Sequence, residues 1–384
     1  MNVPPSRILV VDDDHGLRRT LERILRGDYN VETVSGAAEA KERLDRDRFN
    51  LALLDVRLRD GDGYTLCRDI RQRHPETDVI LITGSMSEPD EKLFRSLEEG
   101  AFYFLFKPFD RRVLRALVDR CLRLQHERLA KERYAQMLAE DLEKARLFQF
   151  SLVPRTAVSS AGWRLEGRLL SCERLGGDLY QAQTTDMAGV AFSISDVEGH
   201  GVRAAMLAGM LRSTLDAARR RAPEPERIGR ELRLGLDFPE ATGSATLVYG
   251  LLLPDGRMRF LNAGHPPLLW QSGDRFERLF ATGTLLHPAL GSQPLPAREV
   301  VLHPGDRLLA YTDGVFEACN PAGQELGIDR LQEAFADCRD LTVADTLDTL
   351  LGVVRDHCGG RPFTDDVTLL LVERGGAEVG YEGI

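Results

Sequence analysis

Four short apolar runs near the N-terminus each stop on a residue that carries chemistry, and no other feature narrows the fold as far. RILVV runs into Asp12 and Asp13, LALLD ends on Asp55, VILIT ends on Thr83, and FYFLF leads into Lys107 and Pro108. Runs of this length, rich in Val, Ile and Leu, belong to parallel strands buried on both faces. Helical stretches lie between them, Gly16–Arg26 and Ala37–Arg46, with apolar residues at three- and four-residue spacing (Leu17, Leu21, Ile24, Leu25). This alternation over residues 7–109 predicts an α/β, doubly wound, five-stranded parallel sheet. Its site is expected at the carboxyl ends of the strands.

One crevice would then collect the carboxylates of Asp12, Asp13 and Asp55, the hydroxyl of Thr83 and the ammonium of Lys107. Clustered carboxylates repel one another, and a divalent cation relieves that repulsion; hard oxygen ligands point to Mg2+. With the cation held, a carboxylate can attack a phosphoryl donor while metal, Lys and Thr meet the charge on the transferring oxygens. Taken singly, each aspartate reads more readily as a helix cap or turn residue. Together, VVDDD, LLDVRLRDGDG, ITG and KPF, within residues 5–125, resemble the receiver domain of bacterial response regulators, a flavodoxin-like fold. The resemblance implies Asp55 as phospho-acceptor and Mg2+ on Asp13 and Asp55 with help from Asp12. It also implies Thr83 and Lys107 as holders of the phosphoryl group and Phe104 as the switch aromatic. Arg59 stands where that family commonly has proline.

From Asp110 to Arg146 the chain contains no glycine or proline and is densely charged. Leu114, Leu117, Cys121 and Leu124 follow one heptad seam; Leu138, Leu142, Ala145 and Leu152 form a second, with a break of register around Arg128–Arg133. The pattern predicts a long exposed helix over residues 111–150, paired as a coiled coil with its own copy. The alternative is a single helix packed on a neighbouring domain.

After Pro154 the texture becomes that of an α+β domain with a largely antiparallel β-sandwich flanked by helices. WRLEGRLL, GVAFSISD, ATLVYGLLL, MRFLNAG and DRLLAYTDG read as strands, and Pro254-Asp255-Gly256 as a hairpin turn. Helices are expected at Val202–Arg221, Ile228–Leu234 and Leu331–Cys358. Four aspartate motifs sit at strand ends beside a glycine or a second acid: LGGDLY (Asp178), ISDVEGHG (Asp196), YTDG (Asp313) and FTDDVT (Asp365, Asp366). Buried carboxylates must be paired, neutralised or metal-bound. Several of them from separate strands suit two hard cations sharing a water that is a nucleophile at neutral pH. Gly176-Gly177 and Gly199-His200-Gly201 allow close backbone approach, and the latter opens a helix whose N-terminal amides favour an anion.

ARLFQFSLVP, LGGDLY, DVEGHGVRAAM, NAGHPPLL, YTDGVFEA and DDVT occur in the order of the metal-dependent protein phosphatases of the 2C type (PPM family), specifically the stage II sporulation protein E-like branch. That resemblance implies a serine/threonine phosphatase with two Mn2+ or Mg2+ ions. Asp178 and Asp196 would flank the bridging water, assisted by the Val197 carbonyl, and Asp313 and Asp365 would complete one metal. Asp366 matches a secondary position. Gln181 replaces an acid found in many relatives. A degenerate domain that binds a partner without catalysis would keep the same fold. His200 and His265 read as structural or catalytic alike.

The expected organisation is a receiver domain at 1–110, a helical linker at 111–150, a phosphatase domain at 151–375 and a tail at 376–384. Control by phosphorylation of Asp55 from a cognate histidine kinase follows from that order. By resemblance, the substrate is a phosphoserine or phosphothreonine protein such as an anti-sigma-factor antagonist (anti-anti-sigma factor), and the chain is a homodimer through the helical linker. The other reading is a phosphorylation-controlled adaptor that binds a sigma factor or another client. Lys+Arg 50 against Asp+Glu 60 argues against nucleic acid as the partner, and no basic recognition helix follows the receiver. Six cysteines without a CxxC pair point to a reducing cytoplasm. MNVPPSRILVVDDD does not read as a signal peptide, and Leu279–Ala297, the longest uncharged stretch, is too broken by proline and glycine for a membrane helix.

Overall fold

The computed structural model describes residues 6–84, 101–154, 157–185, 189–235, 243–290 and 293–375. The chain divides into two compact units, residues 1–138 and 139–384. None of the described helices is long and apolar enough to cross a membrane.

The N-terminal unit runs β1 (Arg7–Val11), α1 (His15–Leu25), β2 (Asn30–Val34), α2 (Ala37–Arg46), β3 (Leu51–Asp55), a small hairpin of β4 (Arg57–Leu58) and β5 (Gly61–Asp62), α3 (Gly63–Arg73), β6 (Asp78–Thr83) and β7 (Tyr103–Phe106). A long helix, α4 (Arg111–Ser151), follows. The sheet order is β2-β1-β3-β6-β7, with all pairings parallel. β3 and β6 are buried along their whole length. This is why they appear in the sequence as unbroken apolar runs rather than alternating ones. β2 is one of the two edge strands, and its half-exposed NVETV gave no comparable signal.

Helix starts are fixed by acids. Asp14 accepts hydrogen bonds from the backbone N–H groups of Gly16 and Leu17 at the start of α1. α2 lacks a side-chain cap of its own; Asp60, from the β4–β5 turn, accepts from Ala37 and Ala38 at 2.9 and 3.0 Å. Gly36 is required there, since a Cβ would stand 2.5 Å from the Asp60 carboxylate.

One apolar core lies beneath α2 and α3, and the other beneath α1 and the first turns of α4. The heptad seam expected at Leu114, Leu117, Cys121 and Leu124 does not point at a second copy. Leu114, Val118, Cys121 and Leu122 are buried against β1, β3 and β6 of their own unit, and Leu124 is exposed. Gln125 completes that stripe by donating to the carbonyls of Asn50 and Glu76, both at 2.7 Å. Heptad spacing records a buried stripe but not what buries it. From Lys131 to Leu138 the helix is exposed on every side.

The C-terminal unit continues with β8 (Val158–Ser160), β9 (Trp163–Leu170), β10 (Leu179–Thr184), β11 (Val190–Val197), α5 (Gly201–Arg221), α6 (Pro225–Gly235), β12 (Ala245–Leu252), β13 (Arg257–Ala263), β14 (Leu268–Ser272), β15 (Arg275–Leu279), β16 (Arg298–Val301), β17 (Arg307–Tyr311), the single turn α7 (Asp313–Phe316), α8 (Ile328–Asp337), α9 (Val343–Cys358) and β18 (Val367–Arg374). Two antiparallel sheets, β10-β11-β12-β13-β16 and β15-β14-β17-β18-β9-β8, share a core that includes Trp163, Phe192, Ile194, Phe260, Leu308 and Leu370. The outer face of the first sheet is covered by α5 and α6, and that of the second by α8 and α9. Because both faces of each sheet are covered, the central strands β11, β12, β17 and β18 are buried along most of their length, whereas β9, β15 and β16 keep charged residues at exposed positions. The β12–β13 turn is as expected, with Gly256 at φ 92.

The helix expected over Leu331–Cys358 is two helices. Cys338–Leu341 separates them, and Thr342 caps α9 by accepting from the N–H of Asp345 at 3.1 Å. The break is held from a distance: the buried guanidinium of Arg307 donates to the carbonyls of Cys338 and Arg339 and to the hydroxyl of Thr346.

Candidate functional site

In the N-terminal unit, β1 and β3 deliver Asp12, Asp13 and Asp55 to one place. One oxygen from each lies within 4.8 Å of the others, and Asp12 and Asp55 are buried. Lys107, just past β7, donates to Asp12 at 2.7 Å and to Asp55 at 3.0 Å. Burial pushes the Asp55 carboxyl above its ordinary range, and Lys107 opposes the shift. Burial also works against the Lys107 charge, but the hydrogen bonds to Asp12 and Asp55 outweigh it and raise the ammonium's pKa. Thr83 is buried at the end of β6. Phe104, opposite Leu81 in the β6–β7 register, is half-buried and meets Phe106 edge-on at 5.0 Å. Arg59 reaches Asp13 at 3.2 Å.

In the C-terminal unit the end of the sandwich carries the second group of acids. The β10–β11 register pairs Leu179 with Ser195, so Asp178 comes up against Asp196. Asp178 is 3% exposed, and its Oδ2 accepts from Thr312 at 2.8 Å and from Thr368 at 2.5 Å. Thr312 follows β17 and Thr368 lies on β18, so both hydroxyls come from the second sheet to hold an acid of the first. Burial and the neighbouring Asp196 charge hold Asp178 well above the carboxylate range. Asp196, close enough to share a hydrogen bond with Asp178, is pushed up to about 7 by burial and by Asp313, Asp365 and Asp366. Lys107 relieves Asp12 and Asp55; the groups acting most strongly on Asp178 and Asp196 are other acids.

Glycines allow the segments to converge. A Cβ on Gly176 would stand 1.9 Å from the Asp366 carboxylate, on Gly177 2.4 Å from the Val197 carbonyl, and on Gly314 2.0 Å from the Asp366 carbonyl. Asp366 is turned toward backbone: it accepts from Cys172 at 2.9 Å and from Gly177 at 2.8 Å, fixing the loop that precedes Asp178. Asp365 accepts from the N–H of Asp366 at 2.8 Å and is pushed up by burial and by its neighbours Asp313 and Asp366.

Gln181 is spoken for elsewhere, donating to Asp216 of α5 at 3.3 Å. His200 is exposed and pairs with Glu173 at 3.1 Å. His265 is buried; its Nδ1 meets the hydroxyl of Thr246 at 2.7 Å, and Thr246 is the cross-strand partner of Asp196. Burial lowers this imidazole to about 3, so it sits neutral against Thr246.

Three residues at this site escape a reading of the sequence. Thr312 and Thr368 lie inside the YTDG and DDVT motifs, but only the aspartates stand out there. Gln149, on the last turn of α4, donates to the carbonyl of Gly176 at 2.6 Å and accepts from its N–H at 3.3 Å. A polar residue on the buried stripe of ARLFQFSLVP was the available signal.

Comparison with known proteins finds matches to two parts of the chain. The family model for the response regulator receiver domain matches residues 8–119, and that for stage II sporulation protein E (SpoIIE) matches 186–375. Response regulator protein PilR of Pseudomonas aeruginosa is 42% identical over 124 residues, 32% of this chain and 27% of PilR. Protein IcfG of Synechocystis is 25% identical over 267 residues, 61% of this chain and 41% of IcfG. The chain thus spans less than half of either relative. Among solved structures, the SiaA-PP2C domain of Pseudomonas aeruginosa shares the fold of the C-terminal unit, with a TM-score of 0.57 at 18% identity over 62% of this chain and 98% of that one. The RsbU and RsbW domains of Rv1364c from Mycobacterium tuberculosis align with a TM-score of 0.50 at 28% identity, over 56% of this chain and 61% of that one. This chain therefore joins a response regulator receiver domain to a stage II sporulation protein E domain with the PP2C phosphatase fold.

Proposed function

We propose that the chain is a two-component response regulator whose output is a metal-dependent serine/threonine protein phosphatase. The observation that carries the reading is Asp178: a carboxylate 3% exposed, oriented by two hydroxyls, and set against Asp196 with acids rather than cations around the pair. Such a group is unfavourable in isolation and is stabilised by hard divalent cations. The oxygen-only donor set fits Mn2+ or Mg2+. Asp178, Asp196, the Val197 carbonyl, Asp313 and Asp365 would hold two ions, and Asp366 would keep the loop of Gly177 in place. When bound, the ions supply a water of lowered pKa and neutralise the phosphoryl oxygens. The chain's own part is to fix Asp178 through Thr312 and Thr368 and to keep Asp196 against it.

In the receiver, Asp12, Asp13 and Asp55 would hold Mg2+. An oxygen of Asp55 attacks the phosphorus of a phosphohistidine on the kinase; the P–N bond breaks, and the histidine leaves with its electron pair. Lys107, 3.0 Å from Asp55, is placed to meet the new phosphoryl oxygens, with Thr83 as hydroxyl partner and Phe104 as the aromatic that follows it. The substrate class is a phosphoserine or phosphothreonine protein, an anti-sigma-factor antagonist by family resemblance. The compartment is the cytoplasm. Self-association through the second half of α4 is supported by the exposure of Tyr134, Met137, Leu138, Leu147 and Phe148.

The test is Mn2+-dependent hydrolysis of a phosphoserine peptide by the full chain. Turnover that is lost in Asp196→Asn supports the reading. A wild-type chain that stays silent with Mn2+ or Mg2+ replaces it with the client-binding adaptor.

A further inference from the structure

The three carboxylates of the receiver cluster are not equivalent. Asp12 and Asp55 share the ammonium of Lys107, whereas Asp13 Oδ2 lies 3.2 Å from Nε of Arg59. Arg59 is carried by the β4–β5 turn, and that turn is anchored: the adjacent Asp60 accepts the N–H groups of Ala37 and Ala38 at 2.9 and 3.0 Å. The backbone thus delivers the guanidinium to the mouth of the cluster. The side chain itself is 82% exposed and can swing away.

We propose that Arg59 is a tethered cation that competes with a divalent ion for Asp13 and so weakens the receiver's hold on Mg2+. The inference rests on the reading that Asp12, Asp13 and Asp55 hold that ion. A guanidinium stays charged across the whole accessible pH range. A divalent ion entering beside Asp13 must either displace Arg59 or bear its repulsion. Lys107 meets Asp12 and Asp55 and leaves Asp13 to Arg59, so the two cations act on different carboxylates of the cluster. An uncharged side chain at this position would offer no such competition. The exposure of Arg59 sets the scale: exposed ion pairs are weak, so the effect is a several-fold change in affinity rather than orders of magnitude.

The experiment is calorimetric titration of Mg2+ into the full chain carrying Asp178→Asn and Asp196→Asn, which silence the second metal site. In that background Arg59→Gln and Arg59→Pro should bind Mg2+ about three- to fivefold more tightly than Arg59. Arg57→Gln, which removes a nearby charge not paired with Asp13, should shift the affinity by much less. Unchanged or weaker binding in the Arg59 variants would overturn the inference, as would an equal shift from Arg57→Gln. Failure of Asp13→Asn to abolish the Mg2+ signal would overturn the reading of the cluster itself, and the inference with it.

Discussion

Thr368 Oγ1 donates to Asp178 Oδ2 at 2.5 Å across 190 positions of sequence, from the middle of one sheet to the edge of a loop on the other. The same oxygen accepts from Thr312, whose own Oγ1 accepts from the N–H of Thr368 at 3.1 Å. Two buried hydroxyls thus fix the acid on which the proposed metal site is built.

Thr368→Val should therefore weaken Mn2+ binding at the phosphatase site by about 10- to 100-fold, the range seen when a partner of a metal-ligating group is lost. Thr368→Ser, which keeps the hydroxyl, should restore most of it. Calorimetry with Mn2+ on chains carrying Asp13→Asn, which removes the receiver site, separates the two variants. Loss of a donor to a buried oxygen should also lower stability by about 1–3 kcal/mol in urea unfolding.

Gln149 joins helix and site: α4 begins shortly after Lys107, and its last turn grips Gly176, two residues from Asp178. Gln149→Ala leaves both polar groups of a buried Gly176 unpaired. The expected outcome is a chain that folds, loses phosphatase activity severalfold, and no longer responds to acetyl phosphate. Phosphatase rates with and without acetyl phosphate, compared in wild type and Gln149→Ala, check it. An unaltered response in the variant contradicts the coupling.

The acids impose a pH dependence on metal uptake. Without an ion, Asp196 is pushed up to about 7 by burial and by the charges of Asp313, Asp365 and Asp366. Binding a cation requires the ionised form, so uptake near pH 6 should release protons and weaken as pH falls. Calorimetry in buffers of different ionisation enthalpy reads that release directly, and Asp196→Asn should abolish it. The same shift acts on stability. A carboxyl whose folded pKa is raised favours the folded state below its unfolded value, and this advantage disappears as pH rises through about 7.

His265 acts in the opposite sense. Its folded pKa is lowered to about 3 from 6.5, so the unfolded chain takes up the proton first. Stability from this group is complete above about 6.5 and is lost as pH falls toward about 3. Replacing His265 by Gln should flatten the acid side of the stability profile in the metal-free protein. Thermal melts between pH 7 and pH 4.5 measure the slope.

Much of this architecture is legible in the sequence because its strands end on their chemistry. Asp12, Asp55, Thr83 and Lys107 mark four of the five strands of the first sheet; β2 ends on no such residue and is half-exposed, so it leaves little trace. The burial of Leu114 and Cys121 could be read from periodicity, but the surface that buries them could not, since a domain's own sheet and a second copy ask for the same spacing. The break between α8 and α9 was hidden for a different reason. Cys338-Arg339-Asp340-Leu341 contains no glycine or proline, and what holds it open is Arg307, on another strand. At the second site the aspartates stand out through their glycine neighbours, while Thr312, Thr368 and Gln149 acquire their parts only when distant segments meet.

Everything at the second site depends on Asp178 and Asp196 holding divalent ions for phosphoester hydrolysis. The direct measurement is turnover of p-nitrophenyl phosphate by the full chain as Mn2+ is titrated, in wild type and Asp196→Asn. The account predicts saturable, Mn2+-dependent turnover that chelation removes and that falls at least about 100-fold in the variant. Turnover independent of Mn2+, or equal in the two proteins, would contradict it.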